Sequence, residues 1–285
     1  EQRFNSAEKV NDVRLMAQYA YELCGSYWFI YNVPKVLEIG SRAVQLIEKH
    51  HLEKEFFGLG FSAYAQICAF YGDFVGQAGR VEEGISIIEK GYHIACEVND
   101  KYGMGMTQAF TSSLMHTAGY GQRAITHARE AIKNFEEGGI FGVLDSGYMN
   151  LGGGHHLCGD NDKAIEIGEK ALKLNKEHGG MPFSQAWECW YLAMAFMSDG
   201  NLGRAREYAK EALRISQGCN NKTAEAQALV LLGCLMEEMT PAPIEEALNQ
   251  ISQGISILED SKLELMRPVG YLYLGEFLAN TGKKE

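Results

Sequence analysis

The stretch GYMNLGGGHHLCGDNDKA at positions 147–164 decides how this chain is read. Three consecutive glycines run into two histidines, a cysteine and two aspartates, a composition that suits a phosphate-cradling loop or a metal cluster. A phosphate loop presents its backbone N–H groups at a strand-to-helix junction. The pattern on either side of the glycines therefore settles which reading stands.

Downstream, NDKAIEIGEKALKLNKE (161–177) places Ala164, Ile165, Gly168, Ala171 and Leu172 at the 3.6-residue period, with Glu and Lys between them. The same pattern recurs in NVPKVLEIGSRAVQLIEK (32–49), RVEEGISIIEKGYHIACEV (80–98), GQRAITHAREAIKNFEE (121–137), LGRAREYAKEALRISQ (202–217) and PIEEALNQISQGISILED (243–260). Its anchors are Val36, Gly84, Ala124, Ala164, Ala205 and Ala247, spaced by 48, 40, 40, 41 and 42 residues. Self-similarity at a fixed period of this length marks a stacked repeat.

Ahead of each segment lies a more apolar one: 11–31, 56–78, 101–119, 141–158, 181–199, 222–239 and finally 263–281. Turn-forming residues separate the two, as in CGDND (158–162), SDGNLG (198–203) and MTPAP (239–243). The five prolines fall at helix starts or in connecting turns, where a missing N–H costs little. Alternating β-branched runs that would build a sheet are absent. The spacing predicts an all-α solenoid of antiparallel helix pairs over 1–285, with repeats at about 11–50, 56–98, 101–137, 141–177, 181–217 and 222–260 and a half repeat at 263–281.

The first helices share a signature. Tyr148, Leu151 and Gly152 are spaced like Cys189, Leu192 and Ala193, like Leu229, Leu232 and Gly233, and like Tyr271, Leu274 and Gly275. A bulky residue follows three places on. Together with the later G-D or G-N turn and the Ala anchors, this resembles the tetratricopeptide repeat across nearly the whole chain. Val36 and Gly84 depart from the usual Ala. The resemblance implies a right-handed superhelix with its first helices lining a concave wall. A period near 40 is similar to the tetratricopeptide-like tails of bacterial signalling ATPases, nucleotide cyclases and large transcription activators. This implies a piece of a larger multidomain protein.

In this register the three glycines lie inside a helix. Gly152 holds the family's small position, where neighbouring helices approach. Gly153 and Gly154 each cost about 1 kcal/mol against Ala in a helix interior, so close packing, a bend or a ligand surface must compensate. His155 falls at a packed position. His156 projects toward the inner wall, one repeat on from His116, and these two histidines are the residues a metal-dependent enzyme would use. Direct bridging is demanding at helix spacings of about 10 Å. GLGFSA (58–63) lacks the strand of a dinucleotide site, and DNDKAIEIGEK (160–170) lacks the third oxygen ligand and the glycine of a calcium loop. No HExxH, GxSxG or Walker lysine occurs, so no catalytic residue, metal or cofactor is assigned.

Composition narrows the partner. With 26 Lys and Arg against 37 Asp and Glu, the formal charge of −11 repels a phosphate backbone, which argues against nucleic acid. The longest apolar runs fall short of the ~18–20 residues of a membrane span, and no signal peptide is visible. Seven scattered cysteines without CxxC spacing suit a reducing cytoplasm.

The resemblance places Tyr21, Trp28, Gln66, Asp73, His116, Met149, Gly153, His156, Trp187, Trp190 and Met194 on the concave wall. That wall is rich in aromatics and Met and poor in Lys and Arg, so the basic clamp by which related co-chaperones hold a C-terminal carboxylate is missing. Trp187, Trp190 and Met194 also fit inter-repeat core. Leu272, Leu274 and Phe277 on the last, unpaired helix need cover, from a second copy of the chain or an end-on contact. The reading is a non-catalytic interaction or regulatory module that binds a peptide, a helix or an adjacent domain of the same chain. The alternative is a small-molecule sensor.

Overall fold

The computed structural model describes residues 2–10, 12–236 and 243–282. Fourteen helices and no strand occur among them. A short α1 (Gln2–Lys9), not anticipated from the period, precedes the array. The first helices of the repeats are α2 (Val13–Phe29), α4 (Ala63–Gln77), α6 (Lys101–Thr117), α8 (Leu144–Leu157), α10 (Pro182–Ser198), α12 (Lys222–Leu235) and α14 (Arg267–Asn280). Their partners are α3 (Val33–Lys49), α5 (Val81–Glu97), α7 (Gly121–Glu137), α9 (Asn161–Glu177), α11 (Leu202–Gly218) and α13 (Ile244–Asp260).

Each first helix packs on its partner and on the first helices before and after it, whereas no two second helices pack closely among the described residues. Rows that touch on one side and splay on the other must bend, with the first helices inside the curve. The anchors show what holds each pair. The small residue of a first helix meets the anchor of the next: Ser112 Oγ donates to the Ala124 carbonyl at 2.7 Å, and Gly72 lies directly against Gly84. Glycine at positive φ ends five of the first helices, at Gly79, Gly119, Gly159, Gly200 and Gly282.

The helix predicted from 56 begins instead at Ala63. Phe57 and Gly58 both adopt positive φ (52° and 81°), which ends any helical run, and Ser62 caps the new one by accepting from Ala65 N at 3.1 Å. The Ser62 N–H also donates to Asp100 Oδ2 at 2.7 Å, which ties the start of α4 to the start of α6. Ser62→Ala is expected to lower stability by about 1 kcal/mol in urea unfolding. An unchanged midpoint would show that the cap carries no weight.

The helix predicted over 263–281 is also shorter. Its first residues form a turn in which Leu263 and Met266 are buried and Leu265 N donates to the Gln77 carbonyl at 3.1 Å. This turn reaches α4, five repeats away in sequence. Of the three residues expected to be uncovered, Phe277 is buried against Val230, Ile251 and Ile255, Leu274 is half-buried, and Leu272 is 60% exposed. The turn MTPAP lies largely outside the described residues. No helix among the described residues is long and apolar enough to cross a membrane.

Candidate functional site

The three glycines of α8 are packed on three sides. Successive helical residues point about 100° apart, so each glycine meets a different neighbour. A Cβ at Gly152 would contact the Ala164 carbonyl of α9 at 3.3 Å. One at Gly153 would meet the Tyr191 ring of α10 at 2.7 Å and His116 of α6 at 3.1 Å, and one at Gly154 would meet Ile125 of α7 at 2.8 Å. Close packing therefore accounts for all three. Gly153, expected on the open inner wall, is covered by Tyr191 and His116.

Inside the curve the first helices enclose a cavity of about 320 Å³. Eight of the eleven residues predicted for the concave wall line it. Trp28 comes from α2, Asp73 from α4, His116 from α6, and Met149 and His156 from α8. Trp187, Trp190 and Met194 come from α10. The two α10 tryptophans are 8% and 6% exposed, so they are core and wall at once. Three predicted residues lie elsewhere. Tyr21 stacks on Phe70 and meets Phe61 edge-on, Gln66 is 1% exposed within the packing of α4, and Gly153 sits beneath its two neighbours.

The period did not predict what closes the cavity. Phe183, at the start of α10, packs on Trp28 and Tyr31 with ring centroids 5.1 and 6.0 Å apart, so repeat five meets repeat one across the bore. Met266, Val269, Leu272 and Tyr273 add a wall from the last turn and α14. Tyr31 carried a signal that could have found it. It has φ 52° at the turn position where the next four repeats place glycine, a conformation that costs a bulky residue of order 1 kcal/mol.

Asp73, Gln77, His116 and Gln227 are the buried polar side chains among the described lining residues. Asp73, 2% exposed, accepts from Trp28 Nε1 at 2.8 Å and from Gln77 Nε2 at 3.4 Å. Burial pushes its carboxyl up to about 6, against those two hydrogen bonds. His116 Nδ1 lies 3.1 Å from the Tyr191 hydroxyl, while its Nε2 has no hydrogen-bond partner. Burial, and then His156, bring His116 down to about 3, so the imidazole is neutral at physiological pH. His156 is also lowered by burial, and its Nδ1 pairs with Asn161 Oδ1 at 3.2 Å. Among the described residues no Lys or Arg lines the cavity. Among the described residues no group of three or more His, Cys, Asp or Glu is placed to hold a metal ion.

Comparison with solved structures defines the class. The Rap conjugation gene regulator of plasmid pLS20, in complex with a Phr peptide, matches with a TM-score of 0.69 at 13% identity, over 97% of this chain and 76% of that one. NprR in complex with its cognate peptide NprX gives 0.66 at 12%, over 95% and 75%. A signal transduction ATPase with numerous domains and a tetratricopeptide repeat sensor, from Pyrococcus horikoshii, gives 0.53 at 18%, over 89% of this chain and 40% of that one. At such identities the likeness is one of fold, and the fold is a tetratricopeptide-like all-α solenoid. No family model matches the sequence, and no curated protein does.

Proposed function

We propose that the chain is a non-catalytic regulatory module that binds a short peptide on its concave face, with the central cavity receiving the anchoring side chains. The observation that carries this reading is that the cavity is built by both ends of the array. Trp28 lies in the first full repeat and Tyr273 in the last helix, so one ligand touches both ends of the array, which the turn at Leu265 and the rings around Phe183 also link. Occupancy then biases the curvature of the whole solenoid, because small rotations between neighbouring repeats add along the stack. Two solved structures of the same fold are complexes with peptides, which supports the choice of ligand. An effector elsewhere on a longer chain, in a reducing compartment that suits seven free cysteines, would read out the change.

A small molecule is the second reading, favoured by the cavity's volume of about 320 Å³, at the lower end of ligand pockets. The chain's three tryptophans, 28, 187 and 190, all line the cavity, so intrinsic emission reports on this site. Titration with a library of five- to seven-residue peptides is expected to shift that emission saturably and to change the radius of gyration in X-ray scattering. Peptides that bind without moving the emission would place the interaction elsewhere and overturn the proposal.

A further inference from the structure

Resting on that reading, we propose that the cavity selects a ligand carrying an organic cation with N–H donors, a protonated amine or a guanidinium, which docks on Asp73 and Gln77 beside the rings of Trp28 and Tyr31. Four features of the site point to this chemistry.

Among the described residues Asp73 is the one carboxylate on the cavity wall, and no lysine or arginine there balances it. Its neighbours Trp28 and Gln77 are neutral donors, so the buried charge has hydrogen bonds without a counter-charge. The two histidines that share the wall are held neutral by burial and supply none. A buried carboxylate left in this state is costly, and a cation beside it recovers much of that cost.

Gln77 sharpens the ligand class. Its Nε2 is turned toward Asp73, which fixes the amide orientation, because only the amino end can donate to a carboxylate. The opposite atom, Oε1, is then buried with no hydrogen-bond partner, although Gln77 is 2% exposed and lines the cavity. An unpaired acceptor next to an uncompensated carboxylate asks for a group with several N–H donors. The carbonyl of the same residue receives Leu265 N, so the closing turn is anchored at this spot.

The walls agree. Trp28 and Tyr31 are stacked with centroids 6.1 Å apart and an interplanar angle of 28°, and the negative faces of such rings attract a cation. Burial, followed by the Asp73 charge, raises the Tyr31 phenol well above its usual value, so that ring is neutral. Anionic ligands meet no basic group here, and the carboxyl terminus of a peptide has nothing to hold it. A cation can arrive as a small free amine or as the amino terminus, lysine or arginine of a peptide. The chemistry is shared between these sources.

The test uses tryptophan emission with 2-phenylethylamine, charged at neutral pH, and 2-phenylethanol, its neutral counterpart of similar size. Peptides with and without a lysine or arginine form a third arm. The wild-type chain is expected to bind the amine, or the cationic peptides, at least about tenfold more tightly than their neutral counterparts, and Asp73→Asn to remove that preference. Gln77→Met is expected to weaken cation binding in the same direction, and provides a second variant should Asp73→Asn reduce the helical circular dichroism. Preference for the free amine alone assigns a small-molecule source, and preference confined to peptides assigns a peptide one. Peptides that bind equally well with or without a cation would sink this inference and leave the groove reading intact. If no ligand moves the emission, both fall.

Discussion

Glu188→Gln is expected to stabilise the protein by about 2 kcal/mol at pH 8 while leaving its stability at pH 5 nearly unchanged. Glu188 on α10 is 1% exposed. Its Oε1 accepts from Asn175 Nδ2 at 3.2 Å, and the same amide donates to Asp145 Oδ2 at 3.0 Å, so one donor from α9 serves two carboxyl groups from α8 and α10. Burial, and then the Asp145 charge, push the Glu188 carboxyl up to about 9. The folded protein keeps this proton at neutral pH, whereas the unfolded chain releases it above the ordinary glutamate value near 4.3. Between those two values the folded state binds one proton more than the unfolded state, so stability falls as pH rises, by at most about 1.4 kcal/mol per pH unit.

From pH 5 to 8 that ceiling is about 4 kcal/mol, and adjustment of the pair together with water entry brings the expected figure to about half. Glutamine has no proton to lose, keeps an Oε1 for Asn175 and offers its amino group to Asp145. Asp73 is raised as well, to about 6, and adds its own slope to both proteins, so it cancels in the comparison. Urea unfolding followed by helical circular dichroism at the two pH values reads the effect. The buried histidines, His116 foremost, are lowered and add stability as pH rises toward 6.5, but they too cancel between the two proteins, so a variant with the wild-type slope would falsify the raised Glu188 carboxyl.

This carboxyl pair was invisible in the sequence, and the reason is instructive. Asp145, Asn175 and Glu188 belong to three helices, and nothing in their spacing distinguishes them from solvent-facing positions of an amphipathic pattern. What the period does reveal is whatever repeats. Anchors at 40–42-residue spacing from Gly84 onward set the register, and the inward positions implied by the tetratricopeptide resemblance supply eight of the residues that line the cavity. The misses are of one kind. Phe183, Tyr31 and the stretch from Met266 to Tyr273 are positioned by the pitch of the superhelix, a sum of small rotations over several repeats that no single window encodes. The same closure explains why the concave wall bounds a cavity. At Gly153 the register was legible and the neighbour was not. Tyr191 fills the space beside it, and Tyr191 was not among the predicted wall residues.

The anchor that broke the pattern supplies the second large prediction. In the aligned segments Gly84 stands where alanine is usual, so repeat statistics and helix propensity both recommend Gly84→Ala as a stabilising change, by up to about 1 kcal/mol. Geometry predicts the opposite sign. A Cβ at Gly84 would fall on the Gly72 carbonyl oxygen and lie 2.7 Å from Gly76 N and 2.8 Å from Gly76 Cα, all backbone atoms of α4. The reciprocal position is as tight, since a Cβ on Gly72 would come within 2.6 Å of the Gly84 carbonyl. Backbone cannot rotate aside as a side chain can, so α4 and α5 must separate. Separation also disturbs Leu114, against which Gly76 is packed, and with it the seating of α6. Repeat four tolerates alanine because its contact is looser: the Ala164 carbonyl stands 3.3 Å from a Cβ at Gly152. Overpacking of this kind costs about 1–3 kcal/mol after the propensity gain, a fall in melting temperature of roughly 3–10 °C for a chain of this size. Gly275→Ala is the control. It lies inside α14 with nothing within 4 Å of the added methyl, and there the propensity argument should hold and stability should rise. If both variants stabilise the protein, the close contact between α4 and α5 does not exist as described. Opposite signs would show that the glycine pair, and not a weak repeat, is what distinguishes the second unit of the array.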